Sequence, residues 1–479
     1  MIPMTLAEIA AAVGGRLDRA AGEELVTGAV EFDSREIGPG GLFVAMPGER
    51  VDGHDFAAEA VAAGAVGVLA ARPTGVPGVI VPPVSEAHTR SVALAGDRDG
   101  SGAAVLAGLG ALARAVVDRL TATGLTVVGV TGSSGKTSTK DLLAQVLEPM
   151  GATVAPPGSF NNELGHPWTV LRADGGTRYL VLELSARGPG HIAALCTTAP
   201  PRIGVVLNVG TAHLGEFGSR EDIARTKGEL VEQLPPDGLA VLNADDPIVS
   251  AMADRTAARV VRVGRAETAN LRAVDVELDE QARASFRMVT PKGEAVVRLA
   301  LHGAHHVGNA LAVAAVGLEL GAGPDEIAGR LSAARRRSAR RMEVTTRADG
   351  VTVVNDSYNA NPESMSAALH TLAAMAGSDR RSWAVLGLMG ELGDATDAAH
   401  EEIGRLAARL GVDRLVVVGE DASAVLAGAK GESSVLVPDV DAAVALLRAE
   451  LRPDDVVLIK ASKVVALWRV ADALLGDAA

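Results

Sequence analysis

The stretch TVVGVTGSSGKTSTKDLLAQVL, Thr126 to Leu147, restricts the fold of this 479-residue chain more than any other. Thr126 to Val130 is an apolar, β-branched run suited to a buried strand, and Asp141 to Leu147 carries apolar residues at helical spacing. Between them lies a glycine loop containing Thr131, Gly132, Ser133, Ser134 and Gly135. A strand, a glycine loop and a helix in that order aim backbone N–H groups and a helix N-terminus at one point, where a polyphosphate can bind without many cations. Lys136 would then reach the terminal phosphates, and Thr137 would offer its hydroxyl to Mg²⁺. The strict motif is missed, because Val130 stands where a glycine is usual. An ordinary Gly/Ser turn is the competing reading, and Gly-Lys-Thr at a strand-to-helix junction favours the phosphate loop.

Length and composition set the frame for that loop. A chain of this size is expected to divide into about two to four domains. Hydrophobic residues make up 48% and aromatics 2%, so Ala, Val and Leu must do most of the packing and few rings are left to stack on bases. A net charge of −14 argues further against a nucleic-acid partner and requires a local positive site for any anionic substrate. A single cysteine, Cys196, excludes an internal disulfide and a multi-thiolate metal site, and is expected to be a small buried hydrophobe. No apolar run approaches the length that crosses a bilayer, and no signal-like start is present. A soluble cytoplasmic protein is expected, without membrane insertion.

Residues 1 to about 85 alternate short apolar strands with glycine turns before an Ala-rich helix, as a small α/β domain would. Ser34 and Arg35 follow the strand-like Val30 to Phe32 and could hold a phosphate or a sugar, or simply make a capped turn; His54, in a Gly-His-Asp turn, reads as a surface residue. Residues 86 to 101 are small and polar, a linker or insertion, and a helix over Ala103 to Leu120 leads into the phosphate-loop strand. Tyr179 to Leu184 reads as another strand. Glu183 within it is costly unless paired, which a magnesium ion opposite the phosphate loop would do, whereas an edge strand would leave it in water. Arg202 to Asn208 repeats the arrangement and delivers His213 just past its end, as a turn residue, a core residue or a metal ligand. In the helix Arg220 to Leu234, Lys227 interrupts an apolar stripe made by Ile223, Leu230, Val231 and Leu234; a lysine there ordinarily snorkels to solvent.

Asn309, in the helix begun by Gly303 to Ala314, could face a ligand or close a polar first turn. The basic run Arg335 to Arg341 reads as a solvated joint between domains, unless it faces the phosphate loop, where an arginine could stabilise a transferring phosphoryl group. From about residue 342, strands alternate with helices: Val351 to Asn355, Trp383 to Gly387, Arg414 to Val418, Ser434 to Val437 and Val456 to Ile459 are the strands. That order indicates a doubly wound, Rossmann-like sheet. It lacks a dinucleotide fingerprint, so its ligand groups are sought in DSYNANP and LGLMGELG, which follow strands.

Taken together, DSR, DGHDFAAEAVAAGA, TGSSGKTS, NNELG, ELSARGPG, NVGTAHLGEFGS, LNADDP, RRMEV, DSYNANPESM and LGLMGELG resemble the Mur ligase family over nearly the whole chain. The resemblance implies three α/β domains: a UDP-sugar domain over 1–85, a central ATP-binding domain with a mostly parallel sheet over 86–334, and a C-terminal Rossmann-like domain over 335–479 that takes a dipeptide. It implies a monomeric ATP-dependent ligase joining D-alanyl-D-alanine to the terminal carboxylate of UDP-N-acetylmuramoyl-tripeptide, through an acyl phosphate, in peptidoglycan precursor synthesis. Carried over by motif, Lys136 holds the β/γ phosphates, Thr137 and Glu183 a first Mg²⁺, and His213 a second metal, while Lys227 matches the lysine that is carbamylated in the family. Asn309 would meet adenine, Arg341 the phosphates and Asp356 the ribose; Ser34, Arg35, Asn161, Asn162, Ser185, Arg187, Asn359 and Asn361 would meet substrate. The chain departs from the family at His306, commonly Asn, and at Ala461-Ser462-Lys463, where many members have Gly-Ser-Arg.

Three other readings compete. The ligase that adds the third amino acid carries Asn-Pro-Arg where this chain has NANPESM, and a folylpolyglutamate synthase would lack the N-terminal domain. A nucleotide-dependent switch would ligate nothing, and the guanine-reading N-K-x-D motif is not evident.

Overall fold

The computed structural model describes residues 1–48, 51–84, 94, 97, 99–212, 214–431 and 433–476; His213 and most of the 86–101 segment lie outside them. Three α/β layers follow one another along the chain. The first is a five-stranded sheet in the order Arg16–Asp18, Gly78–Ile80, Ala65–Ala70, Gly41–Val44, Val30–Glu31, parallel except for the first pair. His54 corrects the surface reading, for its ring is buried beneath this sheet's end. Its Nε2 accepts the Ala71 N–H at 3.0 Å and its Nδ1 lies 2.7 Å from Asp52, so the turn is pinned internally.

The second sheet has nine strands. In order they are Thr153–Val154, Tyr179–Glu183, Thr126–Thr131, Ile203–Val206, Leu239–Asn243, Arg259–Gly264, Leu271–Leu278, Arg283–Thr290 and Gly293–His302. The first seven run parallel and the last two antiparallel. Alternation along Thr126–Thr131 explains its burial: Val127 packs into the core beneath the helix Ser101–Thr121, while Val128 and Val130 face the helices Lys136–Leu147 and His306–Glu319. Each such valine is worth about 1.5–3 kcal/mol, so Val128→Asp would lose that and strand a carboxylate in the core. The five strands between Leu239 and His302 were not read from sequence.

The third sheet runs Glu343–Thr346, Thr352–Asn355, Val456–Lys460, Ser382–Leu386, Arg414–Val418, Ser434–Val437, parallel apart from its first, antiparallel edge. The helices Pro362–Ala376 and Thr396–Arg409 cover one face through Met365, Leu369, Leu372 and Ile403. Val440–Glu450 and Trp468–Gly476 cover the other through Leu447, Val470 and Leu474. Helices on both faces of a parallel sheet make it doubly wound, as the alternation of elements indicates.

Candidate active site

The glycine loop joins a strand near the middle of the second sheet to the helix Lys136–Leu147. Gly135 sits at φ 82°, and a Cβ there would stand 2.9 Å from the Asn309 side chain, so both conformation and space demand glycine. The next strand end supports the loop: Ser133 N–H donates to the Asn208 carbonyl at 3.1 Å and Ser134 N–H to the Asn208 side chain at 2.9 Å. Thr131 is buried and donates to the Leu184 carbonyl at 3.0 Å. Lys136 Nζ donates to the Gly132 carbonyl at 2.7 Å. Burial lowers its pKa, with Glu183 opposing that shift.

Glu183 is 2% exposed on a strand with parallel neighbours on both sides, which excludes the edge-strand alternative. Its carboxylate accepts from the Thr137 hydroxyl at 3.0 Å and from Asn161 at 2.7 Å, while Ser159 lies 2.8 Å from the same Thr137 hydroxyl. Among the described residues no group of three His, Cys, Asp or Glu side chains surrounds a metal position. One carboxylate beside one hydroxyl suits Mg²⁺, which keeps waters and takes phosphate oxygens rather than an all-protein cage.

Lys227 is 4% exposed, which excludes the snorkelling alternative. Its helix, Arg220–Glu232, is fixed at its start by the Ser219 side chain accepting from Asp222 N–H. Burial holds the Lys227 pKa well below its ordinary value, the Lys136 charge lowers it further, and Glu363 opposes both.

Groups from the third layer close over this cluster. Arg341 Nη2 donates to Ser159 at 2.9 Å and to Thr137 at 3.1 Å, and its guanidinium lies 4.1 Å from the centre of the Tyr358 ring. Asn361 caps the helix Pro362–Ala376 and donates to the Ser133 carbonyl at 3.3 Å. Glu363 accepts from Thr211 N–H at 2.7 Å and from its hydroxyl at 3.0 Å. Lys460 Nζ donates to Asp356 at 2.6 Å and to the Asn359 carbonyl at 2.9 Å; burial lowers its pKa and Asp356 works against that.

A cavity of about 690 Å³ lies between the two larger sheets. Ser133, Ser134, Gly135, Lys136, Thr137, Asn161, Asn162, Glu183, Ser185, Arg187, Asn309, Arg341, Asp356, Asn359 and Asn361 all line it. Asn162 also caps the turn into Gly165 at 2.9 Å, and Arg187 pairs with Glu391 at 3.0 Å. Ser34 and Arg35 are not part of its lining. Arg35 is exposed and pairs with Asp33 at 2.6 Å, in a turn where the Asp33 carboxylate also accepts the Arg35 N–H. Sequence reasoning missed Ser159, Tyr358, Glu363 and Lys460. Only Lys460 left a signal, a lone charge ending an apolar strand just as Glu183 does.

A phosphate loop faced by an arginine from the segment that leads into the third sheet, with a carboxylate and a hydroxyl beside it, defines a nucleoside-triphosphate-dependent group-transfer enzyme. The Mur ligase family catalytic domain matches residues 28–98, the Mur ligase middle domain 130–317, and the Mur ligase glutamate ligase domain 340–463. The chain is 59% identical to the UDP-N-acetylmuramoyl-tripeptide–D-alanyl-D-alanine ligase of Mycobacterium tuberculosis, covering 100% of this chain and 98% of that one. MurF from Acinetobacter baumannii superimposes with a TM-score of 0.86 at 29% identity over 99% of both chains. MurF ligase from Thermotoga maritima in complex with ADP does so with 0.78 at 30%, over 94% of this chain and 98% of that one. The chain belongs to the Mur ligase family.

Proposed function

We propose that this chain is the ATP-dependent ligase that joins D-alanyl-D-alanine to the terminal carboxylate of UDP-N-acetylmuramoyl-tripeptide. The observation that carries the reading is the meeting of the phosphate loop with Arg341 and Asn361 across one cavity, which gives phosphoryl transfer and a second substrate a common point. The likeness to the M. tuberculosis ligase and to an ADP-bound relative supports both substrates. In this reading residues 1–85 bind the UDP-sugar with Ser34 and Arg35, 86–334 bind ATP, and 335–479 bind the dipeptide. The enzyme works as a cytoplasmic monomer without nucleic acid. Among the described residues no helix is long and apolar enough to cross a membrane.

A carboxylate cannot expel oxide, so amide formation needs prior activation. The tripeptide carboxylate attacks the γ-phosphorus, ADP leaves, and an acyl phosphate forms. The neutral dipeptide amine then attacks the acyl carbon, and the tetrahedral intermediate collapses with loss of phosphate and a proton. Lys136 and Arg341 hold the charge that spreads over the transferring oxygens, an effect worth about 10²–10³-fold per donor. Thr137 and Glu183 would hold Mg²⁺, with His213 and carbamylated Lys227 holding a second ion, and these would supply further neutralisation of phosphate charge. Asn309 meets adenine and Asp356, steadied by Lys460, the ribose. Closure of the third layer over the loop excludes water from the acyl phosphate. Phosphate release measured with ATP and UDP-tripeptide tests the reading: it should run stoichiometrically with added D-alanyl-D-alanine, and release indifferent to the dipeptide contradicts it.

A further inference from the structure

Aromatic residues make up only 2% of the chain, yet three of them meet at one point away from the cavity lining. The Phe160 and Trp168 rings are 4.6 Å apart, and the Phe32 ring stands edge-on to Trp168 at 6.0 Å. Trp168 is 7% exposed, its indole N–H donates to Glu31 at 3.0 Å, and the Arg172 guanidinium lies 4.8 Å from its ring centre. Glu31 ends the outer strand of the first sheet, and Phe32 leads into Asp33, Ser34 and Arg35; Trp168 stands on the helix Gly165–Val170 of the second layer.

Phe160 sits between two residues of the phosphate site. Ser159 touches Thr137 and Arg341, and Asn161 donates to Glu183. Gly165 lets the Phe160 backbone press directly on the start of the Trp168 helix, where a Cβ would stand 2.8 Å from Phe160 Cα and Cβ. Phe160 therefore cannot move relative to Trp168 without carrying Ser159 and Asn161 with it.

We propose that Trp168 is a positioning residue that couples the first sheet to the phosphate site. It holds Ser159 and Asn161 in place through Phe160, and through Glu31 it registers a nucleotide-sugar bound at the Ser34 and Arg35 end of that sheet. The inference rests on the reading that residues 1–85 bind the UDP-sugar. Spatial continuity alone is not coupling, so the test is thermodynamic and spectroscopic.

Trp168→Phe keeps a ring against Phe160 but removes the N–H, and Glu31→Gln weakens the same bond from the other side. Each variant should lower kcat about fivefold to tenfold and leave the KM for ATP unchanged; Trp168→Phe, which leaves a small cavity, should also lower the unfolding temperature, whereas Glu31→Gln should not. The double variant should lose no more than either single one. Wild-type tryptophan emission should shift on addition of UDP-tripeptide, and Trp168→Phe should lose that shift while calorimetry still records binding. Wild-type kcat in Glu31→Gln, multiplicative losses in the double variant, or an emission shift retained in Trp168→Phe overturns the coupling. UDP-tripeptide that fails to bind the wild-type enzyme overturns the functional reading as well, which separates the two failures.

Discussion

The guanidinium of Arg341 reaches the Thr137 hydroxyl at 3.1 Å although 204 positions separate them in the chain. The strap that carries Arg341 is tied along one stripe of the helix Lys136–Leu147 and the residue that follows it. Asp141, Gln145 and Glu148 fall at i, i+4 and i+7. Gln145 exchanges hydrogen bonds of 2.8 and 2.9 Å with the Arg335 backbone, Ser338 N–H donates to Asp141 at 3.1 Å, and Arg337 pairs with Glu148 at 2.6 Å. Lys140, itself buried, pairs with Asp141 and donates to the Pro156 carbonyl at 2.8 Å. One helix thus carries the phosphate loop at its N-terminus and locates the opposing cation with its side.

Arg341→Ala should therefore lower kcat about 10²–10³-fold with the unfolding temperature nearly unchanged, since it removes a charge aimed at the transferring group. Arg341→Lys should recover only part of the loss, because an ammonium cannot reach Thr137 and Ser159 together while stacking on Tyr358. Steady-state kinetics with all three substrates checks this; full activity in Arg341→Ala contradicts it.

Contact between the layers depends on Gly210. A Cβ at that position would stand 2.3 Å from the Glu363 carboxyl carbon, so Gly210→Ala should push Glu363 off the Thr211 N–H. We expect about a tenfold fall in kcat with ATP affinity retained, and partial recovery in Gly210→Ala/Glu363→Ala, where room is restored. A double variant worse than the product of the two single ones contradicts this account.

How far the sequence reveals these relationships follows from their range. Strands with one dominant property, such as Tyr179–Glu183 and Arg414–Val418, are visible because burial on both faces requires a continuous apolar run. The cavity residues Lys136 and Glu183, and the buried Lys227 outside its lining, are visible as violations of such patterns. The strands Arg283–Thr290 and Gly293–His302 alternate buried residues with half-buried or exposed ones and carry several charges, so no apolar run marks them. Ser159 and Glu363 act through partners 22 to 182 positions away and Tyr358 through a ring contact, and a single side chain carries no periodic signal of so distant a partner.

Acid should weaken the fold through His166. Burial moves its pKa from 6.5 to about 4. Between those values the unfolded chain binds a proton that the folded chain does not. Stability is therefore full above about 6.5 and falls as pH drops through this window, by about 3 kcal/mol in all. His166→Leu should flatten that part of the profile, read as the difference in unfolding temperature between pH 7 and pH 4.5. Parallel profiles for the two proteins contradict the assignment.

The proposed carbamate on Lys227, which is buried and feels the Lys136 charge, has its own test. A protonated amine there would repel both Lys136 and a metal, whereas its neutral form can take up CO₂ to give a carbamate. Lys227→Ala should lose most activity, and acetate or another short carboxylate should restore part of it. Full activity in the variant, or an unmodified amine by mass in the active enzyme, contradicts the carbamate.

The most direct test of the central claim is the mass of the product formed from ATP, D-alanyl-D-alanine and UDP-N-acetylmuramoyl-tripeptides that differ in their third residue. The account predicts a single new species equal to UDP-tripeptide plus dipeptide less one water, with one ADP and one phosphate released for each. ATP hydrolysis without that species, or addition of a single amino acid to a UDP-dipeptide in its place, would contradict it.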